Sequence, residues 1–180
     1  MKKQEFLDNI KRYEANISIG PSTLRNQGAP GVIKAARNFL VECDLTELKK
    51  IKPSEYADIL EKWTCDLIIK LPKKANKWGT ARKAINVFMI QIFFNRYLAK
   101  EYGLEKFKDA LETPLDSYAD KGLRNWLEKL NSKMEIPEWE GIKNLKVEKS
   151  KQYQECASYV AKENGLSRAC LDIILWRINE

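Results

Sequence analysis

The chain has 180 residues, of which 44% are hydrophobic and 32% charged, and its formal net charge is +7. That length suffices for one well-buried core, and the charge favours an anionic partner, nucleic acid ahead of membrane. Histidine is absent, which excludes Ser-His-Asp and Cys-His catalysis and histidine-bearing zinc sites.

The elements read as helical from end to end. Residues 2–15 form a first helix, and 17–31 form a loop punctuated by glycine and proline. Gly31 opens a helix through about Glu42, and Asp44 caps a short one over 45–51. Pro53-Ser54 starts a helix over about 54–71, with Tyr56, Ile59, Leu60, Trp63, Leu67 and Ile68 on one face. Pro72 ends it. Thr80 is the expected N-cap of a helix running to about Tyr102, where Gly103 stops it. That helix is apolar on nearly every side from Ala84 to Phe94, so it should be the buried centre. A short helix over 105–112 is interrupted by Pro114, and another runs from about Asp116 to Leu130. Residues 131–148, with Pro137 and Gly141, read as a mobile insert. Helices over 149–164 and 168–178 follow, separated by a Gly165 C-cap and a Ser167 N-cap. No hairpin chemistry, repeat or low-complexity tract interrupts this pattern.

The four cysteines, Cys43, Cys65, Cys156 and Cys170, form no CxxC pair and no iron–sulfur spacing. They read as small buried hydrophobes, and neither a metal nor a cofactor is expected. There is no signal-peptide pattern and no uncharged apolar run of about 18 residues. A cytoplasmic, intracellular monomer with no membrane partner is therefore expected.

Three constellations could carry chemistry. Lys83, in Gly79-Thr80-Ala81-Arg82-Lys83-Ala84, falls in the first turn of its helix if Thr80 is the cap. The helix dipole, Arg82 and burial would each disfavour the ammonium form there, and a neutral lysine is a nucleophile that can form a Schiff base. Pointing to solvent or binding a phosphate are the plainer roles. Asp116 follows Pro114 at a helix start, where capping alone explains a carboxylate; one oxygen can cap while the other faces a site. Asp172 and Trp176 share a face four residues apart, and an indole beside a carboxylate can read a purine. A core tryptophan with a solvated aspartate is the plainer alternative. Gln27 could add a base-edge hydrogen bond.

Basic residues form three patches. Lys73, Lys74, Lys77 and Arg82 surround Gly79 and Thr80, where free helix-start amides would suit a phosphodiester. Lys143, Lys146, Lys149 and Lys151 form a second patch, and Arg25, Lys34 and Arg37 flank the early loop.

Lys83-Ala84-Ile85-Asn86 on a central helix, and Leu115-Asp116 opening the next, resemble the catalytic segments of the helix-hairpin-helix DNA glycosylase superfamily. The two residues lie 33 positions apart, similar to the archaeal 8-oxoguanine DNA glycosylase branch. Tyr159–Leu166, followed by Leu171-Asp172-Ile173-Ile174-Leu175-Trp176, resembles that branch's final helices. The resemblance spans roughly 78–130 and 153–178. The usual Leu-Pro-Gly-Val-Gly turn is reduced to Lys77-Trp78-Gly79-Thr80, and Lys83 lies two residues further past its glycine.

The resemblance implies an all-α, two-lobed fold with a cleft between the lobes, the single unit 1–180 divided into 40–115 and 1–39 with 116–180. It implies damaged DNA as partner. Lys83 and Asp116 would be the catalytic pair, Asp172, Trp176 and Gln27 would bind the base, and Lys77, Gly79, Thr80 and Arg82 the DNA backbone. Trp63, Trp78 and Phe88 are candidates for a second stacking wall. Two alternatives stand beside this: a non-catalytic helical nucleic-acid-binding or interaction protein on the same scaffold, and a glycosylase that uses Asp116 and water without Lys83.

Overall fold

A computed structural model describes residues 2–24, 27 and 29–176 of the chain. The fold is all-α. Its helices are α1 (Lys3–Ser18), α2 (Val32–Glu42), α3 (Tyr56–Lys70), α4 (Trp78–Phe94), α5 (Arg96–Tyr102), α6 (Ser117–Lys129), α7 (Val147–Glu163) and α8 (Arg168–Trp176). Short 3-10 turns lie between them, and no strand occurs among the described residues. Among those residues no helix is long and apolar enough to cross a membrane, and no group of carboxylates and thiols could hold a metal ion.

The apolar stripe on α3 packs as its spacing dictates: Tyr56, Leu60, Trp63 and Leu67 are buried. Helix α4 is buried on every side from Gly79 to Asn86 and is flanked by α1, α2 and α3. The expected single helix from Thr80 to Tyr102 is in fact two. The Asn95 side chain accepts hydrogen bonds from the amides of Tyr97 and Leu98, so it caps a new helix and ends the old one. The expected helices over 45–51 and 105–112 are 3-10 turns, Leu45–Lys49 and Leu104–Phe107.

The buried apolar side chains form two clusters. The larger draws on α1 to α5, from Leu7 to Leu111, and includes Ala169; the smaller runs from Leu115 to Leu175. This division differs from the expected grouping of 1–39 with 116–180. Helices α1 and α2 present apolar faces to α4, so they join its cluster. What reaches the C-terminal helices is the loop after α1: Ser22 and Thr23 share a pocket with Asp116 and Asp172.

In the smaller cluster α6 and α8 approach closely at Gly122. A Cβ there would meet Leu175 at 3.0 Å, so glycine sets this crossing and with it the position of α8. The 131–148 segment, expected to be a mobile insert, is anchored at several points, and its last two residues already belong to α7. The Tyr153 hydroxyl donates to Asp120 at 2.7 Å and lies 2.9 Å from the Pro137 carbonyl, which shares its single proton. Arg124 also donates to the Pro137 carbonyl, while Met134, Ile136 and Trp139 pack on the cluster.

Candidate active site at Lys83

Helix α4 begins three residues earlier than its sequence suggests. Its N-cap is Lys77, without a side-chain cap, because the Thr80 hydroxyl is engaged elsewhere: it donates to Gln27 Oε1 at 2.6 Å. Lys83 is therefore the sixth helical residue and not the third. It lies past the first turn, where the helix dipole acts, so a dipole argument no longer applies to it.

Its chemistry comes from a partner instead. Lys83 Nζ donates to Asp116 Oδ2 at 3.0 Å, with the two side chains only 7% and 13% exposed. Asp116 Oδ1 accepts the amides of Tyr118 and Ala119 at 2.9 and 3.0 Å, which makes it the N-cap of α6. The cap fixes the carboxylate; the ion pair occupies its other oxygen.

The pair faces two adjoining spaces. A small cavity of about 90 Å³ is lined by Ser22, Thr23, Lys83, Val87, Pro114, Asp116 and Asp172. A wider pocket of about 640 Å³ is bordered by Gln27, Lys83, Asp116, Tyr118, Lys121 and Trp139, and by the turn Gly141–Asn144. Lys83, Asp116 and Asp172 thus share one cavity, and Gln27 joins the first two in the other. Gln27 is not part of an open loop: it is buried and bonded through its carbonyl oxygen to Thr80. The side chain of Trp176 lies outside the described residues, as do Arg25 of the early basic patch and the expected last turn of α8.

The approach to Asp116 is pinned. Gln154 grips residue 113 with both ends of its amide, accepting from the Thr113 amide at 3.0 Å and donating to its carbonyl at 2.8 Å. Arg168 donates to the carbonyls of Ala110 and Leu111 at 2.6 and 2.7 Å. Burial pushes the Arg168 guanidinium below its ordinary pKa. Helices α7 and α8 therefore hold the stretch of chain that delivers Asp116 to Lys83.

The expected DNA-backbone set Lys77, Gly79, Thr80 and Arg82 does not form an open cradle, and of the four only Lys77 is exposed. A Cβ on Gly79 would come within 2.1 Å of the Ile142 carbonyl oxygen, so the turn over 142–144 covers that side of the helix start. Thr80 is used by Gln27. Arg82 is buried, paired with Glu61 and 3.7 Å from Glu112, and its guanidinium lies 4.6 Å over the Trp78 ring. A buried arginine between two carboxylates joins α3, α4 and the chain before Asp116; it is not free for phosphate.

The candidates for a second stacking wall are also placed elsewhere. Trp63 and Phe88 are in the larger core, and Trp78 donates its indole N–H to Glu61 at 2.9 Å. The tryptophan at the pocket is Trp139, which meets Tyr153 edge-on at 5.7 Å. Sequence reasoning does not single out Trp139 or Lys121, and Lys143 enters it only as a member of the second basic patch. The available signal is a tryptophan between Pro137 and Gly141 in an otherwise polar stretch, since such an aromatic must pack somewhere. No family model, curated protein or solved structure matches the chain.

Proposed function

We propose that the protein is a DNA glycosylase with associated lyase activity, of the helix-hairpin-helix kind, excising an oxidised purine such as 8-oxoguanine. One observation carries the reading: a nearly buried amine held 3.0 Å from a capping carboxylate, beside an open pocket. A lysine so placed has a base at hand to take its proton and an electrostatic partner for a cationic sugar.

In this reading duplex DNA is bent and the damaged nucleotide is turned out into a cleft between two helical lobes. Lys83 passes a proton to Asp116 Oδ2, and the free amine attacks C1′ of the sugar. The glycosidic bond breaks and its electron pair leaves with the base, which takes up a proton. The sugar ring opens to an imine between C1′ and Nζ. The imine acidifies the neighbouring C2′ protons; loss of one expels the 3′ phosphate and cleaves the strand. Asp172, on the cavity wall, would accept an N–H from the base edge. Gln27 and Trp176 are the further base-binding candidates, the indole by stacking.

Borohydride trapping tests this. Incubated with an 8-oxoguanine duplex and borohydride, the protein is expected to give a covalent adduct that Lys83→Gln does not give. Base release without an adduct would replace the lysine mechanism by one in which Asp116 activates water. Binding without base release would leave a non-catalytic nucleic-acid-binding protein.

A further inference from the structure

The start of α4 cannot hold the nucleic-acid backbone, because Ile142 covers Gly79 and carboxylates occupy Arg82. If a nucleotide enters the Lys83 pocket, its flanking phosphates need another partner. We propose that they are held across the pocket mouth by Lys121 of α6 and Lys143 of the Gly141–Asn144 turn. This rests on the reading that the Lys83 pocket takes a nucleotide, and it assigns the strand contact to a surface that the helix-start pattern does not indicate.

The charges at the pocket support it. Among the described residues, five side chains with fixed charge line it: Lys83, Asp116, Lys121, Glu140 and Lys143. Both carboxylates are already paired, Asp116 with Lys83 at 3.0 Å and Glu140 with Lys149 at 2.7 Å. The Lys149 hydrogen bond holds Glu140 below the ordinary carboxylate pKa, so it stays charged and engaged. Lys121 and Lys143 are exposed and have no carboxylate partner among the described residues. The mouth therefore carries two uncompensated positive charges, which an anionic strand would neutralise.

Position and stiffness also fit. Lys121 is on the helix that Asp116 caps, and Tyr118, half exposed, is three residues before it on the same face. Lys143 belongs to a turn that cannot move independently of the site. Ile142 presses on Gly79, the Asn144 side chain donates to the Glu140 carbonyl at 3.0 Å, and Leu145 is buried in the smaller cluster. Two lysines presented by anchored backbone lose less entropy on binding than lysines on a free loop. Ser22, Ser117 and Asn144 add hydroxyl and amide donors at the same rim.

The test is the salt dependence of binding to a duplex bearing a stable abasic-site analogue, followed by fluorescence anisotropy. Wild type is compared with Lys121→Gln/Lys143→Gln and with a control, Lys50→Gln/Lys100→Gln, which removes two lysines away from the pocket lining. For the pocket variant the slope of log affinity against log salt is expected to fall by about 1.8, ~0.9 for each phosphate that is no longer neutralised. Its affinity at low salt should fall at least about tenfold, with an unchanged melting temperature, and the control should keep the wild-type slope. A wild-type slope in the pocket variant, an equal loss in the control, or no duplex binding by wild type overturns the proposal. Wild-type protein that releases no base, yet loses slope only in the pocket variant, would remove the glycosylase reading and leave this surface standing.

Discussion

Asp116 meets Lys83 with one carboxylate oxygen and the first amides of α6 with the other. Substitutions separate the two tasks. Asn caps a helix about as well as Asp, whereas Ala loses about 1 kcal/mol of capping. Asp116→Asn should keep α6 intact but leave the nearly buried Lys83 ammonium without its counter-charge. Asp116→Ala should be destabilised by about 1 kcal/mol more than Asp116→Asn, measured by urea unfolding. Under the proposed function, both should lose base release by on the order of 10²-fold. Equal stability of the two variants would mean that the cap contributes nothing.

Gly79 is required for a different reason, its proximity to the Ile142 carbonyl. In an open helix Gly→Ala gains about 1 kcal/mol. Here the added Cβ would sit 2.1 Å from a backbone oxygen that a side-chain rotation cannot relieve. Gly79→Ala should therefore destabilise by about 2 kcal/mol, within the usual cost of overpacking, and should displace the turn that carries Lys143. A melting temperature equal to or above wild type would show that the turn yields freely.

Whether a feature is legible in the sequence depends on whether it is local. The α3 stripe, the Asp116 cap and the apolar centre of α4 follow from spacing and residue type, and they are where the sequence puts them. The pairing of Lys83 with Asp116 is expected from the resemblance, and the ion pair is present. Most of the features that fail are decided by distant partners, and Asn95 is the local exception. Thr80 reads as a cap but spends its hydroxyl on Gln27, 53 residues away in sequence. Arg82 reads as a phosphate ligand but is claimed by Glu61, 21 residues away. Asn95 splits one apolar run into two helices because its side chain competes locally with the backbone. The 131–148 segment, polar and proline-marked, conceals the contacts that tie it down, because Pro137 offers only its carbonyl to Tyr153 and Arg124.

The cysteines should differ sharply in reactivity. Cys65 is exposed, Cys43 and Cys156 are buried, and burial pushes the Cys43 thiol up to about 12. The thiolate is the reactive form, so Cys43 should be nearly inert near neutral pH. In a timed reaction with an alkylating reagent followed by peptide mapping, Cys65 should be modified first and Cys43 only on unfolding. Early labelling of Cys43 would mean that the packing around it opens easily.

Glu101 should show the clearest acid titration. It accepts Lys3 at 2.7 Å and Lys49 at 2.6 Å, and these hydrogen bonds lower its pKa from 4.5 to about 2. A carboxyl depressed in the folded state favours folding while it is ionised. Its contribution is complete above pH 4.5 and fades as the pH falls toward 2. The group is at the surface, so salt should weaken the effect. A carboxyl-detected NMR titration should place the Glu101 midpoint near 2 in wild type and closer to 4.5 in Lys49→Ala. An ordinary midpoint in wild type would show that the Lys3 and Lys49 pairs, which tie α1 and the Leu45–Lys49 turn to α5, do not persist in solution.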